Sequence, residues 1–186
     1  MYCGSNKTAL ASQQQIAQAM MRLIRVKPYA QISISELCKE ADISRQTFYT
    51  LFTSRENVMI FTLQSRYCCT GELEHTGREN ACVQEGLQGL CRGYSRYLVR
   101  NRELIHTLVE NQIDYLLYDS FFEALSQSEC LFGQLEAPLR RYASSFYAGG
   151  VSCIAKQYAL NGCTATETQL EELLIQLFTG NLFRSL

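Results

Sequence analysis

The stretch ISISELCKEADISRQTFYTLFTSR, Ile32 to Arg55, decides the fold. It contains three helix starts. Ser33 and Glu36 have the spacing of a capping box, in which a hydroxyl and a carboxylate satisfy orphan amides at a helix N-terminus. A first helix is predicted over 34–40. Ala41-Asp42-Ile43 breaks it, and Ser44 is placed to cap a second, very short helix through Thr50. Thr53 and Glu56 offer another box for a third helix. Short helix, tight turn, short helix is the helix-turn-helix pattern, whose second helix can enter a DNA major groove.

Working outward from the caps, Ile34, Leu37, Cys38 and Ala41 recur at helical spacing and form one apolar face. Ile43, Phe48 and Phe52 supply the opposing surface. Asp42 falls where the turn needs a left-handed backbone, which Asp tolerates better than most residues. Arg45, Gln46, Thr47 and Tyr49 are left over for outside chemistry. Arg pairs with guanine and Gln with adenine by bidentate hydrogen bonds, whereas Thr and Tyr hydroxyls suit phosphate oxygens.

This run resembles the N-terminal domain of TetR-type bacterial transcriptional regulators. Ala41, Ile43, Ser44, Thr47, Phe48, Tyr49, Phe52 and Arg55 carry the resemblance, in order and at family spacing. Asp42 stands where the family often has Gly, and Arg55 where a Lys is usual. The resemblance implies a three-helix DNA-binding head on a helical ligand-binding and dimerisation body, with dimers formed through the last two long helices. It covers about the first third of the chain strongly, the rest only by helical layout.

At 186 residues the chain permits one large domain or a small one joined to a medium one, and 47% hydrophobic content suits a globular protein. The net charge of −1 argues against nucleic acid by itself, but its distribution does not. Residues 1–56 hold Lys7, Arg22, Arg25, Lys27, Lys39, Arg45 and Arg55 against Glu36, Glu40, Asp42 and Glu56, a net +3; the remainder carries −4. The nine cysteines include no Cys-x-x-Cys and no Cys/His cluster at zinc spacing. No signal peptide and no apolar run of membrane-spanning length is evident, so a cytoplasmic (bacterial) protein with reduced, mostly buried thiols is expected. Thiol sensing is the alternative, with Cys68, Cys69 and Cys163 as first candidates.

Along the chain, Thr8 to Lys27 is an amphipathic helix with Ile16, Met20, Leu23 and Ile24 on one stripe, ended by Pro28. Tyr29 follows, as a phosphate contact or a boundary aromatic. A fourth helix starts near Ser54 and passes Tyr67; a break lies between Gly71 and Gly77. Asn80 can cap a fifth helix holding Gly86, Gly89 and Gly93, each costing ~1 kcal/mol against Ala. Close packing is the favoured compensation, room for a ligand the alternative. A short sixth helix covers Leu104 to Val109, and Ile113 to Leu131 is helical and aromatic. Pro138 opens an eighth helix with Leu139, Tyr142, Ala143, Phe146, Gly150, Cys153 and Ile154 as its stripe, ending near Asn161-Gly162. Thr166 and Gln169 box a ninth, with Leu170, Leu173, Leu174, Leu177 and Phe178 in helical register, closed by Gly180-Asn181. These last two form an antiparallel pair, and two pairs can build a four-helix interface across a two-fold axis. An internal two-helix layer in a monomer is the alternative.

The fold expected is therefore all-α, with about nine helices: a helix-turn-helix domain over 1–53 and a regulatory and dimerisation domain over 54–186. No nucleophile elbow, phosphate-binding Gly loop, zinc-protease motif or dinucleotide fingerprint is present. Glu72, Glu74 and His75 form a charge run that does not converge on a helix. The expected function is a DNA-binding transcriptional regulator rather than an enzyme: a homodimeric repressor of a near-palindromic double-stranded operator, needing no cofactor or metal and not membrane-bound, released by a small hydrophobic inducer. Arg45 and Gln46 are the base-reading candidates; Thr47 can reach a thymine methyl or a phosphate. Ser33, Ser44, Tyr49 and Arg55 are the phosphate candidates, with Lys27 and Lys39 weaker. Tyr94, Tyr97, His106, Tyr115, Tyr118, Phe122 and Tyr147 are the pocket candidates, ordinary core aromatics being the alternative. Leu139, Ala143, Phe146, Gly150, Leu170, Leu173, Leu174 and Leu177 are the interface candidates. A thiol-responsive regulator with the same head, or a protein-interaction module that keeps the fold without binding DNA, are the rival readings.

Overall fold

The computed structural model describes residues 6–68, 82–127 and 132–180, with side chains for all of these except 67–68 and 82–85. The described residues form nine α-helices and one 3₁₀ turn, with no strand among them. The break between Gly71 and Gly77, the Asn80 cap, the Glu72, Glu74 and His75 run, the Cys68 and Cys69 thiols, Leu131 and Asn181 lie outside the described residues. The chain folds as two compact units, Met1–Ser65 and Arg66–Leu186.

The first unit is built by its caps. α1 spans Lys7–Leu23, with the Asn6 side chain accepting from the amides of Thr8 and Ala9. It stops four residues before Lys27, where the sequence reading had extended it, because Val26 and Lys27 both donate back to the Leu23 carbonyl. Pro28 instead opens the 3₁₀ turn Tyr29–Gln31. α2 spans Ile34–Glu40, α3 Arg45–Leu51 and α4 Arg55–Cys68. Between α2 and α3, Asp42 has φ 52°; its amide donates to Lys39 and that of Ile43 to Cys38, a left-handed closure of α2 that leaves α3 free to turn away. Ile16, Ala19, Met20, Ile32, Leu37, Phe48 and Phe52 are buried in the core of this unit. α4 contributes Val58, Met59 and Leu63, and Phe61 meets the Phe52 ring edge-on at 5.6 Å. The cap of α4 is Ser54, not Thr53: the Ser54 hydroxyl accepts from the Asn57 amide, and the Thr53 hydroxyl is spent on the Asn57 side chain.

In the second unit α5 is Cys82–Arg100, α6 Arg102–Glu110, α7 Tyr115–Ser126, α8 Ala137–Leu160 and α9 Glu167–Thr179. α7 stops short of the predicted Leu131 end. α8 packs chiefly on α7 and α6, and α9 on α5. The last two helices touch where Phe178 lies 4.9 Å from the Tyr147 ring and 3.7 Å from the Cβ position of Gly150, but neither is the other's principal partner. α8 turns small residues inward, Ser144, Ala148, Ser152, Ala155 and Ala159, which lets its neighbours come close. Two ion pairs, Arg92–Glu171 and Arg96–Glu167, each at 3.2 Å, tie α5 to α9. Their order along the two helices makes them antiparallel. The capping box of α9 forms through Thr166 and Gln169 as its sequence implies, and Gly180 closes it at φ 70°. Close packing at Gly86 and Gly89 is not seen among the described residues: a Cβ added at either meets no described atom within 4 Å.

Candidate nucleic-acid interface

α3 is two turns long and amphipathic. Phe48 and Leu51 are buried beneath it, which leaves Arg45, Gln46, Tyr49 and Thr50 exposed together on the opposite side. That spacing of one, four and five residues is one helical face. Tyr49 is 51% exposed and stands edge-on to Phe48 at 5.5 Å, so its ring is anchored while its hydroxyl faces outward. At the helix start the Ser44 hydroxyl accepts from the Thr47 amide at 3.0 Å and pairs with the Thr47 hydroxyl at 2.9 Å. Thr47 is therefore half-buried and engaged by its own cap, a poorer base reader than Arg45 or Gln46. Ser33 caps α2, accepting from the Glu36 amide at 3.2 Å, and is exposed. With the Lys27 hydrogen bond as the largest cause, the Glu36 carboxyl is held below the usual range.

The cations of this unit are not equally available. Arg55, predicted as a phosphate anchor, is half-buried: its Nη1 donates to the Tyr29 carbonyl at 3.1 Å and to the Ile32 carbonyl, with its guanidinium 4.9 Å from the Tyr29 ring centroid. Lys27 is ion-paired with Glu36 and donates to the Gln31 carbonyl. Arg22 is paired with Glu40 at 2.6 Å. Lys39 and Arg45 are exposed, and they put positive charge beside the outer face of α3. Tyr29 is buried, not a phosphate contact, and its hydroxyl donates to Glu56 at 3.2 Å.

In the second unit the predicted pocket residues separate into groups. Tyr94 and Tyr97 are buried with Phe121, which meets both rings edge-on at 5.1 and 6.0 Å, and the Tyr94 hydroxyl donates to the Val151 carbonyl. Tyr118 and Phe122 are half-buried and stacked at 5.9 Å, with the Arg141 guanidinium 5.6 Å from the Phe122 ring. Tyr147 sits between Phe132, Phe146 and Phe178. His106 and Tyr115 leave the pocket set: both are exposed, and His106 Nδ1 lies 3.3 Å from Glu110. His106 does not face the interior because Leu104, Ile105 and Leu108 already fill the inner side of α6, and Tyr115, at the start of α7, is 52% exposed.

The interface candidates also divide. Leu170 and Leu174 are buried within this unit, on the side of α9 that packs on α5, and so drop out. Leu139 and Phe146 of α8 and Leu173 and Leu177 of α9 are exposed, with Ala143 and Gly150 half-buried. Tyr142, placed on the predicted stripe but not among the interface candidates, is the most exposed of them. Its signal was its register, three residues after Leu139 and four before Phe146. Cys153 and Leu160 continue the same side of α8.

Of the thiols, Cys38 and Cys91 are buried, and burial pushes both up, Cys91 to about 11 with help from the Glu171 charge. Burial also raises Cys163, whose Sγ lies 4.0 Å from the Arg102 carbonyl. It is thus a poor candidate for a reactive thiolate. The groups of three or more His, Cys, Asp or Glu that could hold a metal are absent among the described residues. No helix of the described residues is long and apolar enough to cross a membrane.

A capped helix-turn-helix followed by an all-helical unit, with no strand among the described residues, is the fold layout of helix-turn-helix regulators. Residues 16–60 match the family described as bacterial regulatory proteins, tetR family. The first unit is thus similar to the DNA-binding domain of TetR-type regulators, and the relatives it matches are transcriptional regulators. Over 181 residues the chain is 24% identical to the HTH-type dhaKLM operon transcriptional activator DhaS of Lactococcus lactis subsp. lactis (strain IL1403), covering 92% of this chain and 89% of that protein. Its fold is similar to that of Lin0861 from Listeria innocua, with a TM-score of 0.71 at 17% identity over 98% of this chain and 96% of the other. It is also similar to the fatty acid degradation regulator FadR from Bacillus halodurans, with a TM-score of 0.53 at 19% identity over 94% and 96% of the two chains.

Proposed function

We propose that this protein binds a near-palindromic DNA operator as a homodimer and represses transcription until a small hydrophobic inducer binds its second unit. The exposed face of α3 carries the reading. Arg45 and Gln46 supply planar, bidentate donors and acceptors for base edges. Tyr49, Ser33, Ser44 and Lys39 supply phosphate contacts around them, with Thr47 as a cap that adds to the backbone grip. Two copies of α3 about 34–36 Å apart would read successive major grooves. The second copy docks on the exposed side of α8 and α9, since Leu139, Tyr142, Phe146, Leu173 and Leu177 leave a large apolar surface in water.

The inducer site is supported by the half-buried Tyr118–Phe122 pair and by Tyr147. An inducer need only prefer the state that binds DNA less well. Activation in place of repression is the second reading, favoured by the activator role of the Lactococcus relative.

Fluorescence anisotropy with a random duplex across a salt series tests the DNA reading. Duplex affinity should fall steeply with salt as counterions are released. No duplex affinity even at low salt would sink it and favour a protein-interaction module. Arg45→Ala should cost about 1–3 kcal/mol and relax preference at one base pair. A reporter driven from the chain's own operator separates the two regulatory senses: expression rises on deletion of a repressor and falls on deletion of an activator.

A further inference from the structure

One short turn in the first unit is held from both ends by cations. The 3₁₀ turn Tyr29–Gln31 feeds the Ser33 cap of α2. Arg55, in the first turn of α4, donates to the carbonyls of Tyr29 and Ile32. Lys27 donates to the carbonyl between them in this segment, that of Gln31, and pairs with Glu36 in the first turn of α2. The Tyr29 ring lies under the Arg55 guanidinium, and its hydroxyl donates to Glu56, the next residue of α4. Burial raises the Glu56 carboxyl, but its own amide, Ser54, Tyr29 and the Arg55 charge outweigh it and leave it below the usual range. Glu56 is thus a charged acceptor within the cluster.

This arrangement needs arginine. Nη1 alone serves both carbonyls while the flat guanidinium face rests on the Tyr29 ring; an ammonium can donate to carbonyls but has no flat face to lay on the ring. A phosphate that took Nη1 would have to draw it off both carbonyls. Tyr29, 4% exposed, has no route to DNA at all.

We propose that Arg55, Tyr29 and Glu56 form a clamp that positions the N-terminus of α2 against the start of α4, and so sets operator affinity without touching DNA. Arg55 is a positioning residue. The inference rests on the DNA-binding reading above and assigns the residue a different part in it.

The test uses the full-length protein and a random-sequence duplex, with affinity measured across a salt series. Arg55→Gln and Tyr29→Leu should each weaken duplex binding by about tenfold, the scale of one lost charge-assisted hydrogen bond. The double variant should be no weaker than the weaker single, since both break one unit. The slope of log affinity against log salt should stay at the wild-type value. Arg55→Lys, which keeps the charge but has no flat face for the Tyr29 ring, should lose affinity nearly as Arg55→Gln does. Circular dichroism at the assay temperature confirms that each variant is folded, and Arg55→Lys carries the test if the others are not. A slope lowered by about 0.9 in Arg55→Gln, with Arg55→Lys and Tyr29→Leu binding like wild type, would make Arg55 a phosphate anchor and overturn the clamp. Wild-type protein without duplex affinity would instead remove the DNA-binding reading, and the clamp with it.

Discussion

Phe146→Ala should weaken self-association strongly while leaving the isolated fold intact. Phe146 is 72% exposed, and its neighbours on the same side of α8, Tyr142 and Leu139, are 74% and 55% exposed. Burying a whole Phe side chain is worth roughly 1.5–3 kcal/mol, so the exposed share of Phe146 carries about 1–2 kcal/mol per copy. A two-fold interface uses the residue twice, giving about 2–4 kcal/mol, or a dimer Kd raised about 30- to 1000-fold. Phe146→Glu should do more, because it adds two carboxylates to an apolar seam. Sedimentation equilibrium over a concentration series measures the shift, and denaturant unfolding of the dilute protein checks the fold. Leu174→Ala supplies the contrast. Leu174 is 0% exposed within its own unit, so its loss should cost about 2–5 kcal/mol of folding stability as a cavity. A dimer Kd within threefold of wild type for Phe146→Ala would refute the assignment of this face to the second copy.

Asp42→Gly should raise the stability of the first unit by about 0.5–1 kcal/mol, the left-handed penalty less the added backbone entropy of Gly, read by urea denaturation; Asp42→Val should lower it, because φ 52° suits no β-branched residue. Ser44→Ala should cost about 1 kcal/mol through loss of the α3 cap, and duplex affinity should fall with it even in fully folded protein. Cys91 is raised from 9.0 to about 11 on folding, so its contribution is fully present below pH 9 and is lost as pH climbs through 11. Cys91→Ala should flatten that alkaline decline in unfolding free energy. In dilute, dissociated protein Cys153, exposed on α8, should react with a thiol reagent at neutral pH well before Cys91 or Cys163, and dimer formation should slow it.

The head was legible because its signals are local. Ser33, Ser44, Asp42 and the pairing of Thr166 with Gln169 each specify a backbone conformation within three or four residues, and each takes the form its sequence implies. Thr53 misled for an equally local reason: two adjacent hydroxyls compete for one cap, and Ser54 takes the amide while Thr53 takes the Asn57 side chain. The exposure of Arg45 and Gln46 was legible because Phe48 and Leu51 consume the inner face of a two-turn helix, leaving few other positions for them.

Side chains whose partners lie far along the chain were not legible. Arg55 is a family-like cation by position, yet carbonyls 23 and 26 residues away absorb it. His106 follows the same rule in reverse, an apolar neighbourhood in sequence becoming a solvent-facing position once Leu104, Ile105 and Leu108 occupy the inner side. On α9 the Leu repeat shows an apolar stripe wider than one partner needs, and periodicity cannot divide it between an internal neighbour and a second copy.

By itself, then, the sequence determined where α2, α3 and α9 start, that the described residues are helical, and which short helix presents Arg45 and Gln46. Caps, turns and 3.6-residue periodicity act over one or two turns, so the information is complete within a window. Only the tertiary structure decided that Arg55 and Tyr29 grip one another, that α9 lies on α5 with Leu170 and Leu174 inside, and that α8 turns its small residues inward and Leu139, Tyr142 and Phe146 outward. Those outcomes depend on which surfaces meet, and burial is a property of the pair of surfaces, not of either sequence alone.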